Sequence, residues 1–145
     1  MRALLDVNVL IALFDADHIF NNRAHNWLET QSKAGIATCA LTENGLVRIL
    51  TNANYSKKIH LAPPEVIRRL EGFIAKQDHA FIGDSISVTD RDLFEHQYIL
   101  GSKQITDIYL LGLANKAGCK LATFDANINI RAVKAASEAN LEVLR

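Results

Sequence analysis

The nine residues Ala3-Leu4-Leu5-Asp6-Val7-Asn8-Val9-Leu10-Ile11 decide the fold. Three consecutive apolar residues without polar alternation read as a strand covered on both faces, the habit of parallel sheets, and Asp6 falls at its carboxyl end. Residues 7–14 then stay apolar long enough for a buried helix. A strand that delivers an acid straight into a helix is the first half of a βαβ unit.

Further units of the same kind follow down the chain. Residues 18–33 carry Ala24, Trp27 and Leu28 at helical spacing and end at Gly35, and residues 36–39 fit a second strand. Thr42-Glu43 opens an amphipathic helix through Leu46, Val47, Ile49 and Leu50 that closes near the turn-prone residues 52–54. Residues 55–62 read as a basic loop, and Pro63-Pro64 starts a helix through Val66, Ile67, Leu70, Phe73 and Ile74. Residues 79–82 make a third strand, while residues 84–92 have mixed polarity and no assignable element. Thr106-Asp107 begins a strongly apolar helix stopped by Gly118, residues 120–123 form a fourth strand delivering Asp125, and residues 141–144 form a last one. This alternation, without hairpin signals, predicts a three-layer α/β/α sandwich with a central parallel sheet of about four to five strands, in a single domain spanning residues 1–145. In such sheets ligands bind beyond the carboxyl ends of the strands, where strand order reverses, and both Asp6 and Asp125 are expected there.

Composition narrows the class. With 145 residues, 49% hydrophobic and 22% charged, the chain has enough apolar surface for a core that needs no metal or disulfide staple. Cys39 and Cys119 stand among small or apolar neighbours and read as buried free thiols. The start of the chain is apolar but interrupted by Asp6 and Asn8, unlike a signal peptide, and no run approaches a membrane span. A cytoplasmic protein is expected. Sixteen basic and sixteen acidic side chains cancel, which argues against a surface that grips nucleic acid over its whole area, though a local site remains compatible with a neutral total.

Each acid has a structural explanation when taken alone. Asp6 can cap a helix, Asp125 lies in a turn-prone Asp-Ala-Asn context, and Glu43 and Asp107 each follow a threonine at a helix start, where the macrodipole favours a carboxylate. Four acids at the ends of elements that converge on one sheet edge are less easily dismissed. Crowded carboxylates raise one another's pKa unless a cation neutralises them, and hard oxygen ligands suit Mg²⁺ or Mn²⁺.

These residues resemble the PIN-domain nucleases. Leu4 to Ile11 resembles that family's opening strand and helix, and Thr42-Glu43-Asn44-Gly45 is similar to the block around its central acid. Gln104-Ile105-Thr106-Asp107 with Tyr109 and Leu110 resembles the third block, and Leu121-Ala122-Thr123-Phe124-Asp125 the fourth. Within the family, the stretch from His96 through Gly101 to Asp125 is most similar to the VapC-type toxins of bacterial toxin–antitoxin pairs. Val7 replaces the threonine often found after the first acid, and Asn127 and Asn129 stand where some relatives carry a further acid.

The resemblance implies a metal-dependent endoribonuclease that leaves a 5′-phosphate. Asp6, Asp107 and Asp125 would hold Mg²⁺ or Mn²⁺, one ion more firmly than a second, and Glu43 would orient or deprotonate the attacking water. Asn8, Thr106 and Thr123 would fix the carboxylates' orientation. A homodimer and a small VapB-like antitoxin partner are implied too, with Val66, Ile67, Leu70 and Ile74 either packing that partner or belonging to the core.

For gripping RNA the chain offers Arg48, Lys57, Lys58, Arg68, Arg69, Lys103 and Arg131, with Lys103 favoured for its closeness to Asp107. Tyr55, beside Lys57-Lys58, is a candidate for base stacking, whereas Trp27 and Phe73 read as core and His60 and His96 as structural. Three rival functions are weighed. An aspartate-nucleophile phosphatase wants a second acid where Asn8 stands, a phosphoacceptor receiver domain leaves Glu43 and Asp107 unexplained, and a non-cutting scaffold that binds RNA or protein has no need of all four acids.

Overall fold

The computed structural model describes residues 1–58 and 60–145; Ile59, within the loop expected over residues 55–62, lies outside the described residues. The chain runs β1 (Ala3–Leu5), α1 (Val7–Phe14), α2 (Asn21–Gln31), β2 (Ile36–Cys39), α3 (Ala40–Leu50), α4 (Pro63–Ala75), β3 (His79–Ile82), α5 (Ile105–Lys116), β4 (Lys120–Thr123) and β5 (Leu141–Val143). Four single turns of 3₁₀ helix punctuate the second half.

All neighbouring strands are parallel, in the order β3-β2-β1-β4-β5. The period-2 alternation of side chains then divides the core in two. Ala3, Leu5 and Ile36 face α1 to α4, packing with Leu10, Leu46, Leu50, Val66 and Leu70. Leu4, Ala37, Cys39 and Leu121 face the other way, onto Leu110, Leu111 and Leu113 of α5 and onto Phe94. This is the expected three-layer sandwich. Both cysteines are free and buried, as their surroundings suggested. Val66 and Leu70 belong to the core, while Ile67 stays 44% exposed. No helix among the described residues is long and apolar enough to cross a membrane.

Two close approaches position the elements that carry the site. A Cβ on Gly45 would come within 2.5 Å of Val7 Cγ2, so only glycine lets α3 lie this close to the start of α1. A Cβ on Gly112 would meet the Phe94 ring at 2.7 Å, so α5 seats against Phe94 by the same means. Overpacking at such contacts typically costs about 1–3 kcal/mol.

Element boundaries differ from expectation in three places. α2 begins at Asn21, because His18 Nδ1 accepts from the Phe20 N–H at 3.0 Å and holds the preceding residues in a turn. α3 begins at Ala40, two residues early: Thr42 Oγ1 reaches back to the Cys39 N–H at 3.2 Å and caps the helix from inside its first turn. α5 begins at Ile105, running directly out of a 3₁₀ turn at Ser102–Gln104.

Candidate active site

Strand order reverses at β1, which has β2 on one side and β4 on the other, and Leu5 stands opposite Ala122. Asp6 continues that ladder, its N–H bonding the Ala122 carbonyl at 3.0 Å, and then caps α1 with Oδ1 on the Val7 N–H at 2.7 Å. Its other oxygen accepts the Thr123 hydroxyl at 2.7 Å. Thr123 Oγ1 in turn accepts from the Asn8 amide at 3.1 Å and from the Asp125 N–H at 3.1 Å. Asn8 completes the network through Oδ1 on the Phe124 N–H at 3.2 Å. One buried hydroxyl therefore uses its donor on Asp6 and both acceptor sites on the groups that place Asn8 and Asp125.

Asp107 enters from the first turn of α5. It lines one hollow of about 290 Å³ with Asp6, Asn8, Arg48 and Thr106, and another of about 160 Å³ with Asp125, Asn127, Asn129 and Lys103. The electrostatics report the crowding. Burial raises the Asp6 pKa, the bonds from Thr123 and Val7 oppose that rise, and the Asp125 charge adds to it. Asp107 is pushed up to about 7, first by burial, then by the Asp6 charge, then by the hydrogen bond and charge of Asp125. Near neutral pH Asp107 does not ionise comfortably beside Asp6 and Asp125 unless positive charge arrives.

Glu43 is the acid the structure does not bring to this cleft. Leu41, Thr42, Gly45 and Arg48 of α3 line the hollow, and Glu43, the neighbour of Thr42, is not among its lining residues. Its Oε2 accepts the Thr38 hydroxyl at 2.6 Å, and Thr38 Oγ1 meets His79 Nε2 at 2.7 Å. Because Thr38 spends its proton on Glu43, the imidazole N–H is the donor to Thr38. Burial lowers the His79 pKa, with the Glu43 charge pulling the other way. Neither Thr38 nor His79 belongs to a motif in the sequence. The signal was their parity: both sit on the strand face that looks toward α3, where a buried polar side chain needs a partner.

Among the other residues singled out, Arg48 and Lys103 stand in the walls of the two acidic hollows. Thr106 lines the cleft with an exposed side chain and has no hydrogen bond to an acid among the described residues. Lys58 lies in a separate hollow with Asp15 and Asp17, and the carbonyl of Lys57 meets His60 Nε2 at 3.1 Å. Arg69 pairs with Glu65, and Arg131 lies over the Tyr98 ring at 4.5 Å. Tyr55 corrects the stacking expectation: its phenol donates to Asp15 Oδ2 at 2.6 Å and its ring packs on the core. His96 is structural, with Nε2 2.7 Å from the Val88 carbonyl. Trp27 packs on the core while Nε1 donates to Glu142 at 2.9 Å, and Phe73 meets Phe14 edge to face.

A parallel sheet in this order, with acids gathered at its reversal point, defines an α/β/α protein with an acidic cleft suited to a hard cation. The PIN domain family model matches residues 3–134. Ribonuclease VapC44 of Mycobacterium tuberculosis is 38% identical over 144 residues, covering 99% of this chain and 100% of the relative. Ribonuclease VapC38 of the same organism is 39% identical over 126 residues, 87% of this chain and 86% of that one. In fold, the crystal structure of M. tuberculosis VapC20, a toxin that cleaves the sarcin–ricin loop, superposes with a TM-score of 0.60 over 92% of this chain and 98% of its own, at 9% identity. The chain belongs to the PIN-domain family and groups there with the VapC ribonucleases.

The donor set fits Mg²⁺ or Mn²⁺ in a particular way. Asp125 is close enough to raise the pKa of both Asp6 and Asp107, yet among the described residues no three Asp, Glu, His or Cys side chains converge as a ready-made cage. Mg²⁺ does not need one: it keeps several waters and is usually held through one or two carboxylates together with substrate phosphate.

Proposed function

We propose that the chain is a divalent-metal-dependent endoribonuclease of the VapC toxin type, with residues 1–145 acting as one nuclease domain. The observation that carries the reading is the gathering of Asp6, Asp107 and Asp125 at the reversal point of the sheet, where Asp107 lines a hollow with each of the other two. Mutual repulsion among these acids has a use where a cation is to be drawn in, which in turn attracts phosphate.

In the proposed reaction Asp6, Asp107 and Asp125 hold Mg²⁺ or Mn²⁺. The ion's chemistry is to lower the pKa of water and to offset charge building on the phosphoryl oxygens. Thr123 keeps the Asp6 carboxylate in one orientation and sets the backbone that presents Asp125. Arg48 and Lys103 bind the RNA phosphates on either side of Asp107, and the product carries a 5′-phosphate. Glu43, engaged by Thr38, ties α3 to the sheet and does not orient the water. Action in the cytoplasm, neutralisation by a VapB-like antitoxin and assembly as a homodimer complete the proposal.

The test is incubation with total cellular RNA in EDTA, Mg²⁺ or Mn²⁺, beside an Asp6→Asn variant. Cutting only with metal and only by the wild type supports the reading. Metal-independent cutting, or equal cutting by the variant, removes the proposed site, and no cutting under any condition favours a scaffold.

A further inference from the structure

We propose that the hollow formed by Leu41, Val88, Ile105, Tyr109 and Asp84 is a nucleobase subsite that selects guanine beside the scissile phosphate, an inference that rests on reading the neighbouring cleft as an RNA-cleaving site.

The hollow has a volume of about 240 Å³ and shares Leu41 and Thr106 with the cleft that holds Asp6 and Asp107. It lies below the usual size of a pocket for a drug-sized ligand, roughly 300 Å³ and up, and suits a single ring system. Its walls leave three large apolar side chains in water: Leu41 is 41%, Val88 43% and Ile105 41% exposed. The flat face of a base would cover them.

What stands in the wall decides which base. Tyr109 donates its phenol proton to Asp84 Oδ1, and Asp84 Oδ2 takes no hydrogen bond among the described residues. Burial and Asp84 together push the Tyr109 phenol up to about 12, so it stays a donor and fixes the carboxylate in place. A negative wall repels phosphate, so the occupant must bring N–H groups and not oxygens. Guanine presents N1–H and N2–H side by side, matching the two oxygens of a carboxylate. Adenine and cytosine set one amino group beside a ring acceptor, and uracil flanks its single N–H with two carbonyls. A base splayed from single-stranded RNA and read on its Watson–Crick edge is the usual mode of sequence recognition in RNA.

The experiment has two arms. In EDTA, the methyl resonances of Leu41, Val88 and Ile105 are followed by NMR while GMP, AMP, CMP and UMP are titrated into wild type and Asp84→Asn. In Mg²⁺, the ends produced from a random RNA pool are sequenced for wild type, Asp84→Asn and Ile105→Ser. The expected result is methyl shifts with GMP at least fivefold tighter than the others, guanine enrichment beside the cut, and loss of both in Asp84→Asn. Equal or absent shifts for all four nucleotides would overturn the subsite. So would unchanged enrichment in Asp84→Asn, or an Ile105→Ser variant that turns a dimer into a monomer with the same base profile, since that assigns the patch to a second copy of the chain. The two readings fail separately: Asp6-dependent cutting without guanine preference sinks the subsite alone, whereas GMP-selective shifts in a protein that cuts no RNA sink the nuclease reading alone.

Discussion

The Thr123 hydroxyl donates to the Asp6 carboxylate at 2.7 Å across 117 residues of sequence, joining the carboxyl ends of two neighbouring parallel strands. Because the same oxygen also accepts from Asn8 and from the Asp125 backbone, its removal disturbs two acids at once. Thr123→Val is isosteric but leaves the Asn8 amide and the Asp125 N–H without an acceptor. We expect a stability loss of about 1–3 kcal/mol, the usual penalty for orphaned buried groups, measured by urea denaturation. RNA cleavage should fall about 10- to 100-fold, with Thr123→Ser restoring most of it. Full activity in the valine variant would mean that Asp6 needs no orienting partner.

The raised pKa of Asp107 predicts a pH dependence with a definite sign. A carboxyl of ordinary value 3.8 that titrates at about 7 in the folded protein binds more protons folded than unfolded through that interval. Stability of the metal-free protein therefore falls as pH rises from about 4 to 7, since the slope follows the excess of protons bound in the unfolded state, here negative. Thermal unfolding in EDTA should show this decline, and Asp107→Asn or saturating Mg²⁺ should flatten it. An identical slope in Asp107→Asn would show that the acids do not repel as described.

Glu43 and His79 are joined only through the fully buried Thr38 hydroxyl. Glu43→Ala removes the acceptor for that hydroxyl and should cost about 1–3 kcal/mol of stability. Its effect on cleavage, compared at a temperature where both proteins are folded, should stay within about fivefold. A loss as deep as that of Asp6→Asn would return Glu43 to the chemistry.

Arg48 and Lys103 sit in the acidic hollows, and Lys57 and Lys58 do not. Replacing Arg48 or Lys103 by Ala should raise KM for RNA and reduce the log–log salt slope of binding by about 0.7 each, the single-strand value per phosphate contact. Lys57→Ala and Lys58→Ala should leave both quantities unchanged. Salt-dependent fluorescence anisotropy with a single-stranded RNA reads the difference.

The path from Leu4 to Ile11 was legible because strand and helix there obey short-range rules: an unbroken apolar run, then a capping acid. The same rules placed Ile36–Cys39, Lys120–Thr123 and the helix whose first turn carries Asp107. The bond from Thr38 to Glu43 was not legible: the role expected of Glu43 came from the resemblance of its block and from its place in the first turn of a helix. That position says nothing about which way round the helix the side chain points, and the back-bond to the Cys39 cap comes from Thr42. Thr38, His79 and Asp84 were invisible for a different reason. Each acquires meaning only from a partner on another element, five, 41 or 25 positions away, and no local period marks such pairs.

We propose Asp6 and Asp107, with Asp125, as the metal site of this PIN-domain protein. Calorimetric titration of Mn²⁺ into wild type, Asp6→Asn and Asp107→Asn tests it without relying on cleavage. One firmly bound ion per chain is expected in the wild type, and at least tenfold weaker binding in each variant with the fold retained. Undiminished Mn²⁺ affinity in both variants would contradict it.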